Sequence, residues 1–386
     1  MDKILYSTIG RHYHKKWFFS GETGNEDTIV PFELINKWIV VTVKLDGQTN
    51  KEYKFIFDTG AITMVEPEVM KELNLTPLMD FTTTDLNGVK RPVSLINIKK
   101  MTLGNRTFTK VGALSASAQN NLFKCYGIDG IFGYNLLERA VFRLNFAENI
   151  LTISRQLNIN RKDDFNSAKL TTDWRRVMYL ELETRDRKVK AVLDTGAPNY
   201  ILLNKSLQTD FDNSHLLRQK LQYINAANSS VLETLSIYEV HNLKLSSLEL
   251  NKDLLIFLDN QNLIGNGFLK GFEEVIIHAK QKKLYLSKKE LNKKAQHKLL
   301  NFNIGYNNHA VRITGLAIDN EFRKKGIEIG DHVIRINNVS TSDIHDECSF
   351  KSFESSLDIY GDDITLTVLR NGQEYNYSIS KSMMYE

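Results

Sequence analysis

Two aspartates stand in the same short motif at widely separated places in the chain. The tripeptide Asp-Thr-Gly occurs at residues 58–60 and again at 194–196, and Ala follows each copy. Both copies end an apolar run, residues 53–57 and 189–193, so each carboxylate is expected where a buried strand enters a glycine turn. A single copy is ordinary turn chemistry. Two copies with matched flanks call for another explanation.

A pair of carboxylates has a specific chemical use. Like charges about 3 Å apart cannot both ionise at low cost, so two adjacent carboxyl groups share one proton near working pH. One group is then an acid while the other is a base. Asp58 and Asp194 are the candidates for such a pair.

The surroundings of the two motifs are duplicated as well. Residues 131–137 and 263–269 each contain an apolar pair that leads into Gly and then a Leu-containing segment. Gly133 and Gly265 are 132 positions apart, close to the 136 positions between the two aspartates. The blocks between them are therefore nearly equal in length, which indicates an internal duplication.

On these residues the chain resembles the aspartic peptidases, and more specifically a retropepsin-like protease with two lobes fused in one chain. The resemblance covers roughly residues 28 to 287. It implies a mainly β, bilobal acid-protease fold with β-barrel lobes at 28–154 and 173–287, and a polar connection between them. It also implies that the segments around Gly133 and Gly265 brace the two Asp-Thr-Gly loops from beneath. Pro198 departs from the family pattern and is expected to stiffen the second loop.

The resemblance assigns the catalytic role to Asp58 and Asp194. The ionised partner takes a proton from a water held between them, and that water attacks the peptide carbonyl. The protonated partner donates a hydrogen bond to the carbonyl oxygen. This chemistry requires no cofactor and no metal.

The other motif residues are implied to have supporting roles. Thr59 and Thr195 lock the loops together by reciprocal hydroxyl-to-backbone hydrogen bonds, while Gly60 and Gly196 let backbone amides approach the carboxylates. Pepsin-like enzymes usually have Ser or Thr after the glycine, where this chain has Ala. The loss of that hydroxyl donor to the charged form is expected to raise the pKa values of the pair.

The family covers its cleft with a β-hairpin flap. Residues 82–91 fit this role, because Asn87-Gly88 between β-forming residues is a strong hairpin signal. Residues 223–232 occupy the corresponding place in the second copy, but their turn chemistry is weaker. An ordinary surface hairpin is the alternative for both segments.

A different pattern begins after residue 287. Residues 326–338, with Gly-Asp at 330–331, resemble a bacterial-type PDZ domain, which sets a small domain at 300–386. The resemblance implies that residues 302–306, which include Ile304, Gly305 and Tyr306, form a loop that receives a peptide C-terminal carboxylate. It also implies a peptide-pairing strand at 310–313 and a groove helix at 350–357. A PDZ fold that packs on the protease without binding a peptide is the alternative.

Composition allows two or three domains and excludes little. The chain has 386 residues, 42% of them hydrophobic, and a net charge of +4. Its densest basic stretch, residues 280–298, has little aromatic interleaving, which indicates a solvated strand edge and linker and not a nucleic-acid site. His12 and His14 lack companions at metal-ligand spacing.

Cysteines and apolar windows give further expectations. Cys125 and Cys348 are 223 positions apart and fall in different predicted domains, so no disulfide framework is expected. No window reaches the roughly 18 apolar residues of a membrane span. The start of the chain lacks the apolar core of a secretory signal. We therefore expect a cytoplasmic protein if the chain is complete, and a periplasmic or secreted one if it is trimmed.

Together these features predict an aspartic endopeptidase that acts on peptide or protein substrates, with a PDZ-like domain for substrate or C-terminus recognition. The rival from another class is a non-catalytic peptide-binding or scaffold protein that keeps the protease fold. Both copies of the Asp-Thr-Gly motif are intact, which argues against it. A serine-type PDZ protease is a second rival, but the chain has no Gly-x-Ser-x-Gly motif.

Overall fold

A computed structural model gives the structure of most of the chain. It describes residues 21–23, 26–45, 51–84, 90–116, 122–159, 162–184, 186–225, 230–239, 243–246, 248–250, 253–259, 262–291, 301–318, 324–357 and 363–379. Strands dominate these residues, so the prediction of a mainly β protein is confirmed.

The strands of the first half of the chain, with their bounds, are β1 (Gly21–Thr23), β2 (Thr28–Pro31), β3 (Glu33–Ile35), β4 (Trp38–Leu45), β5 (Tyr53–Asp58), β6 (Met64–Val65), β7 (Met79–Thr84), β8 (Lys90–Leu103), β9 (Arg106–Ser115), β10 (Gly130–Gly133), β11 (Val141–Asn145), β12 (Ile150–Ser154), β13 (Phe165–Thr172), β14 (Met178–Glu183) and β15 (Lys188–Asp194). Those of the second half are β16 (Ile201–Asn204), β17 (Leu216–Asn225), β18 (Ser230–Glu239), β19 (Leu243–Leu245), β20 (Leu248–Leu250), β21 (Leu254–Leu258), β22 (Leu263–Gly265), β23 (Glu274–His278), β24 (Lys283–Ser287), β25 (Phe302–Asn307), β26 (Ala310–Ala317), β27 (His332–Ile336), β28 (Val339–Ser340), β29 (Ile364–Arg370) and β30 (Gln373–Ile379).

Helices are short. The α-helices are α1 (Pro67–Glu72), α2 (Leu122–Cys125), α3 (Asn266–Leu269) and α4 (Glu347–Ser356), and 3₁₀ turns span Tyr134–Arg139, Lys162–Asp164, Lys205–Asp210, Asn213–His215 and Ala279–Gln281. Among the described residues, no helix has the length and apolar character needed to cross a membrane.

The duplication seen in the sequence is present in the strand pairing. In the first repeat (residues 28–154), β5 pairs in parallel with β10, which in turn pairs antiparallel with β6. In the second repeat (residues 165–287), β15 pairs in parallel with β22, which pairs antiparallel with β16. Each repeat also carries a long antiparallel hairpin, β7–β8 in the first and β17–β18 in the second.

A sheet shared by both repeats lies at their junction. Its strand order is β2-β12-β11-β23-β24-β13, and the central antiparallel pair joins β11 of the first repeat to β23 of the second. The predicted lobe boundary at residue 173 falls after β13, so part of the predicted connection is a strand of this sheet. Buried apolar residues of both repeats form one continuous core. The two repeats are therefore packed as one body.

The C-terminal module (residues 301–379) has a hydrophobic core of its own. β25 and β26 form a tight hairpin, and β27 pairs with β29, which pairs with β30. Residues 302–306 were predicted to be a loop, but they lie in β25, paired with β26. The alternation of buried and half-buried residues along β25 is that of a strand, and the short Asn308-His309 turn closes the hairpin.

The expectation that the cysteines form no disulfide is wrong. Cys125 at the end of α2 is bonded to Cys348 in the first turn of α4, with a Cα–Cα distance of 4.8 Å. Separation along the chain gave no measure of distance in space, because the C-terminal module folds back against the first repeat. The disulfide joins the two units covalently.

Candidate active site

Asp58 and Asp194 are the last residues of equivalent strands. β5 is buried along almost its whole length, and β15 alternates exposed and buried positions until it reaches Asp194. Beneath them, β10 and β22 run parallel to these strands, with Gly133 opposite Asp58 and Gly265 opposite Asp194. The local sequence thus places each carboxyl group at a strand exit over a glycine.

The structure brings the two carboxyl groups into contact. Asp58 is 9% exposed and Asp194 is half-buried, and each carboxyl group shifts the pKa of the other. The glycines after them make this approach possible. A Cβ built on Gly60 would lie 2.5 Å from Asp194 Cγ, and one on Gly196 would overlap the Asp58 carboxylate. Neither position has room for a side chain.

Two threonines connect the loops reciprocally. Thr59 Oγ1 donates to the carbonyl oxygen of Leu193 at 2.6 Å and accepts from the amide of Thr195 at 3.0 Å. Thr195 Oγ1 donates to the carbonyl oxygen of Phe57 at 2.7 Å and accepts from the amide of Thr59 at 3.0 Å. Both threonines are fully buried. The four hydrogen bonds fix each aspartate relative to the other.

The environment of the pair separates the two carboxyl groups electrostatically. Burial raises the pKa of both, and the charge of Asp58 raises the pKa of Asp194 further. Asp58 Oδ1 accepts from the amides of Gly60 at 2.7 Å and Ala61 at 3.0 Å, which partly offsets the effect of burial on its pKa. The pKa of Asp194 is raised well above the ordinary value for an aspartate. Asp194 Oδ1 accepts from the amide of Ala197 at 2.9 Å, so Asp58 has one more amide donor to its charged form in the hydrogen bonds of the two loops.

The bracing segments contact the loops from below. The amide of Tyr134 donates to the carbonyl of Ala61 at 2.9 Å, and the amide of Asn266 donates to the carbonyl of Ala197 at 2.8 Å. A Cβ on Gly133 would overlap the backbone at Thr63. The equivalent contacts in both repeats hold the two loops at the same height.

Asn135 and Thr63 belong to this support, although the sequence analysis did not select them. Asn135 Oδ1 accepts from the amide of Thr63 at 2.9 Å and from its hydroxyl at 2.7 Å, and Asn135 Nδ2 donates to the carbonyl of Gly112 at 3.0 Å. In the second repeat, Asn266 Nδ2 donates to the carbonyl of Lys37 of the first repeat at 2.7 Å. The available signal was a polar Asn directly inside an otherwise apolar segment.

The predicted flap residues Asn87 and Gly88 lie outside the described residues. The strands on either side pair as the hairpin prediction requires, with Thr84 opposite Lys90. In the second repeat, Asn225 lies opposite Ser230. The ladder of the second hairpin continues onto the C-terminal module, where Lys220, Leu221 and Gln222 pair with Ala317, Leu316 and Gly315 of β26.

The predicted peptide-binding residues of the C-terminal module lie together in β25. Ile304 is buried in the module core, and the hydroxyl of Tyr306 donates to the carbonyl of His345 just before α4. Gly305 lies over Thr314, where a Cβ would approach the Thr314 side chain to 2.9 Å. The described contacts of these residues are within the module.

The raised pKa values make a stability prediction. Because the folded state binds the shared proton more tightly than the unfolded chain, the pair lowers stability as pH rises through the unfolded and then the folded pKa. Asp194→Asn removes the second negative charge while keeping the shape. Its melting temperature should exceed that of the wild type by a few degrees at pH 7 to 8, and the gap should close near pH 4. Asp259→Asn, at an exposed aspartate paired with Lys205, is the control. An equal difference in melting temperature at both pH values would contradict the prediction that the raised pKa values of the pair lower stability at neutral pH.

Comparisons with known proteins agree with one part of this description. The sequence profile of the aspartyl protease family matches residues 41–136, which include Asp58, the β7–β8 hairpin and Gly133. No curated protein matches the chain. Among solved structures, the chain is similar to basic 7S globulin from soybean, with a TM-score of 0.42 and 11% sequence identity over 71% of this chain and 98% of that chain. Residues 41–136 are thus similar to an aspartyl protease.

Proposed function

We propose that this protein is an aspartic endopeptidase that hydrolyses peptide bonds with Asp58, Asp194 and one activated water. The observation that supports it most is the close approach of two carboxyl groups at the ends of equivalent strands, each packed against the glycine of the opposite loop. The reciprocal threonine hydrogen bonds add to this support, because they hold the two carboxyl groups close enough to share one proton.

The two carboxyl groups differ in role. Asp58 accepts two backbone amide hydrogen bonds, which stabilise its ionised form, so it serves as the general base. Asp194 has the more strongly raised pKa and carries the proton, so it serves as the general acid. The pair titrates as a unit, and its two apparent pKa values belong to both residues.

The reaction follows from these protonation states. The water oxygen attacks the carbonyl carbon while Asp58 takes a proton from that water. At the same time, Asp194 gives its proton to the carbonyl oxygen. The tetrahedral diol then collapses: Asp58 passes its proton to the amide nitrogen, the C–N bond breaks, and Asp194 recovers a proton from a diol hydroxyl. Both residues return to their starting states.

The hairpins supply apolar surface for substrate side chains in this proposal. Leu78 and Met79 are exposed at the base of the β7–β8 hairpin, and Leu217, Val231 and Leu232 are exposed on the β17–β18 hairpin. Val231 and Leu232 lie near the turn of their hairpin, opposite Ile224 and Tyr223, whereas Leu217 lies at its far end. In this proposal the exposed apolar residues of the two hairpins contact the substrate. We therefore assign extended peptide segments with apolar side chains as the substrates.

The C-terminal module completes the proposal as a PDZ-like unit that recognises a substrate or a C-terminal carboxylate. α4 packs beside β25, and Phe350 of α4 lies in the module core. A strand next to a helix is the arrangement with which such domains receive a peptide. The peptide would then contact backbone amides of a strand and not those of a loop, because β25 contains Ile304, Gly305 and Tyr306.

Cleavage of a mixed peptide library tests the function directly. Each peptide is supplied with a free and with an amidated C-terminus, and products are identified by mass spectrometry from pH 3 to 8. We expect cleavage with a bell-shaped optimum at roughly pH 5 to 6.5, because burial raises the pKa values of the pair and Ala61 and Ala197 offer no hydroxyl donor. A statin-type inhibitor should stop it. A preference for free C-termini would support the proposed role of the module.

Two outcomes would contradict this proposal in different ways. An optimum at strongly acid pH would show that the missing hydroxyls and burial do not set the pKa values. Binding of library peptides without any cleavage, by protein with its melting transition intact, would favour the non-catalytic scaffold instead.

A further inference from the structure

The Cys125–Cys348 disulfide connects two rigid elements. On one side, α2 is fixed in the first repeat by Trp38, whose ring meets those of Phe123 and Tyr126 edge-on at 5.9 Å each. On the other side, Cys348 lies in the first turn of α4, which is capped by Asp346 and anchored in the module core through Phe350. The bond therefore ties the first repeat to the C-terminal module and not one loop to another.

A second connection joins the same module to the second repeat. β17 of the second hairpin adds to the edge of β26, and the amide of Ile318 extends this ladder by donating to the carbonyl of Gln219 at 2.9 Å. Lys220 Nζ also donates to Asn303 Oδ1 of β25. The hairpin is in effect an extra strand of the module sheet.

The module thus bridges the two repeats, covalently on one side and by a short strand ladder on the other. A three-pair ladder at a sheet edge is weak by itself. Because the disulfide holds β26 next to β17, it raises the effective concentration of one strand at the other. The covalent bond therefore stabilises the non-covalent one.

We propose that the Cys125–Cys348 disulfide is a redox modification site, and that its reduction by a dithiol releases the second hairpin from the C-terminal module. The β17–β18 hairpin corresponds in the second repeat to the β7–β8 hairpin, for which the flap role is proposed. Resting on the proposed function, its release therefore widens access to the Asp58–Asp194 pair. The oxidised enzyme accepts short extended peptides, and the reduced enzyme also accepts bulkier protein substrates.

The chemistry is thiol–disulfide exchange. A thiolate of the dithiol attacks one cystine sulfur, the S–S bond breaks, and the other cysteine leaves as a thiolate that takes a proton from solvent. The second thiol of the reagent then displaces the first cysteine, so two electrons and two protons pass to the protein and the reagent becomes a disulfide. Both cysteines are half-buried, and neither is sealed in the core. Disulfides persist in oxidising compartments and are short-lived in reducing ones, so exposure to a reducing milieu is the natural trigger.

We call the disulfide together with the β17–β26 ladder that it stabilises the latch. Hydrogen exchange on the full-length Asp58→Asn protein tests the latch independently of catalysis. The protein is compared as purified and after dithiothreitol, with free thiols counted. Peptides covering residues 216–225 and 310–318 should exchange at least about tenfold faster after reduction. Peptides covering β11 and β23 of the shared sheet should not change. The Cys125→Ser/Cys348→Ser double variant should match the reduced protein with or without reductant.

Activity then tests the consequence. For wild-type protein, reduction should raise kcat/KM several-fold on a folded protein substrate and leave that on a short peptide nearly constant. Unchanged exchange in both peptides after two thiols have been released, or two free thiols in the protein before reduction, would overturn the latch. No cleavage in either redox state would count against the endopeptidase proposal alone, because the exchange measurement still decides the latch.

Discussion

Replacing either Asp58 or Asp194 with Asn should lower kcat/KM for peptide hydrolysis about a thousandfold or more. An Asn side chain cannot take a proton from the water, and it cannot share a proton with the remaining carboxylate. At position 58 its Oδ1 can still accept from the amides of Gly60 and Ala61, so the loop retains its hydrogen bonds. The loss is therefore expected in kcat, with little change in the fold. Initial rates across the pH range measure it.

The same assay with Asp259→Asn controls for the loss of one negative charge. Asp259 is exposed and forms an ion pair with Lys205 at 3.0 Å, so its replacement should leave kcat/KM unchanged. Because Asp58 and Asp194 act as a unit, the double Asn variant should be no worse than the poorer single variant. Substantial turnover by either single variant, at any pH, would show that the pair is not the catalytic group.

The aspartates could be found from sequence because local chemistry dictates their setting. An apolar run that ends in Asp-Thr-Gly favours a strand followed by a sharp turn. The second copy at matched spacing indicates that the two aspartates form a pair. The same holds for the hairpin at residues 82–91, whose flanking strands pair as predicted. The bracing glycines Gly133 and Gly265 were recognisable for the same reason, since each ends a short apolar strand.

Contacts that depend on how separate units meet could not be read in this way. Cys125 and Cys348 lie beside separate hydrophobic clusters, so the sequence around one cysteine gives no sign of the other. The β17–β26 ladder is likewise a meeting of two edges. The family pattern predicts a loop at residues 302–306, but their pairing with β26, which lies farther along the chain, makes them part of a strand. Asn135 was missed because its partner Thr63 is 72 positions away.

The chemistry depends on strand exits, which the sequence specifies locally and twice. In the proposed latch, access to the Asp58–Asp194 pair depends on the C-terminal module, which is bonded to the first repeat by the disulfide and pairs with β17 of the second repeat. A change of conditions that acts on cysteines can therefore alter access while leaving the carboxyl pair itself intact.

Thr59→Val and Thr195→Val should each destabilise the protein and lower its activity together. Each substitution keeps the shape but leaves one buried carbonyl and one buried amide without a partner, at about 1 to 3 kcal/mol for each group. The four threonine hydrogen bonds also set the distance between Asp58 and Asp194, so kcat should fall even at temperatures where the variants remain folded. Chemical denaturation and kcat at 25 °C measure the two effects separately.

The symmetry of the threonine hydrogen bonds makes this prediction more specific. Because each threonine donates one hydrogen bond and accepts another across the same boundary, the two Val variants should lose similar amounts of stability. Thr59→Ser restores the hydroxyl and should recover most of it, whereas Thr42→Val, at an exposed position of β4, should be nearly neutral. If one Val variant were as stable as the wild type while the other was not, the hydrogen bonds would not be holding the two loops reciprocally.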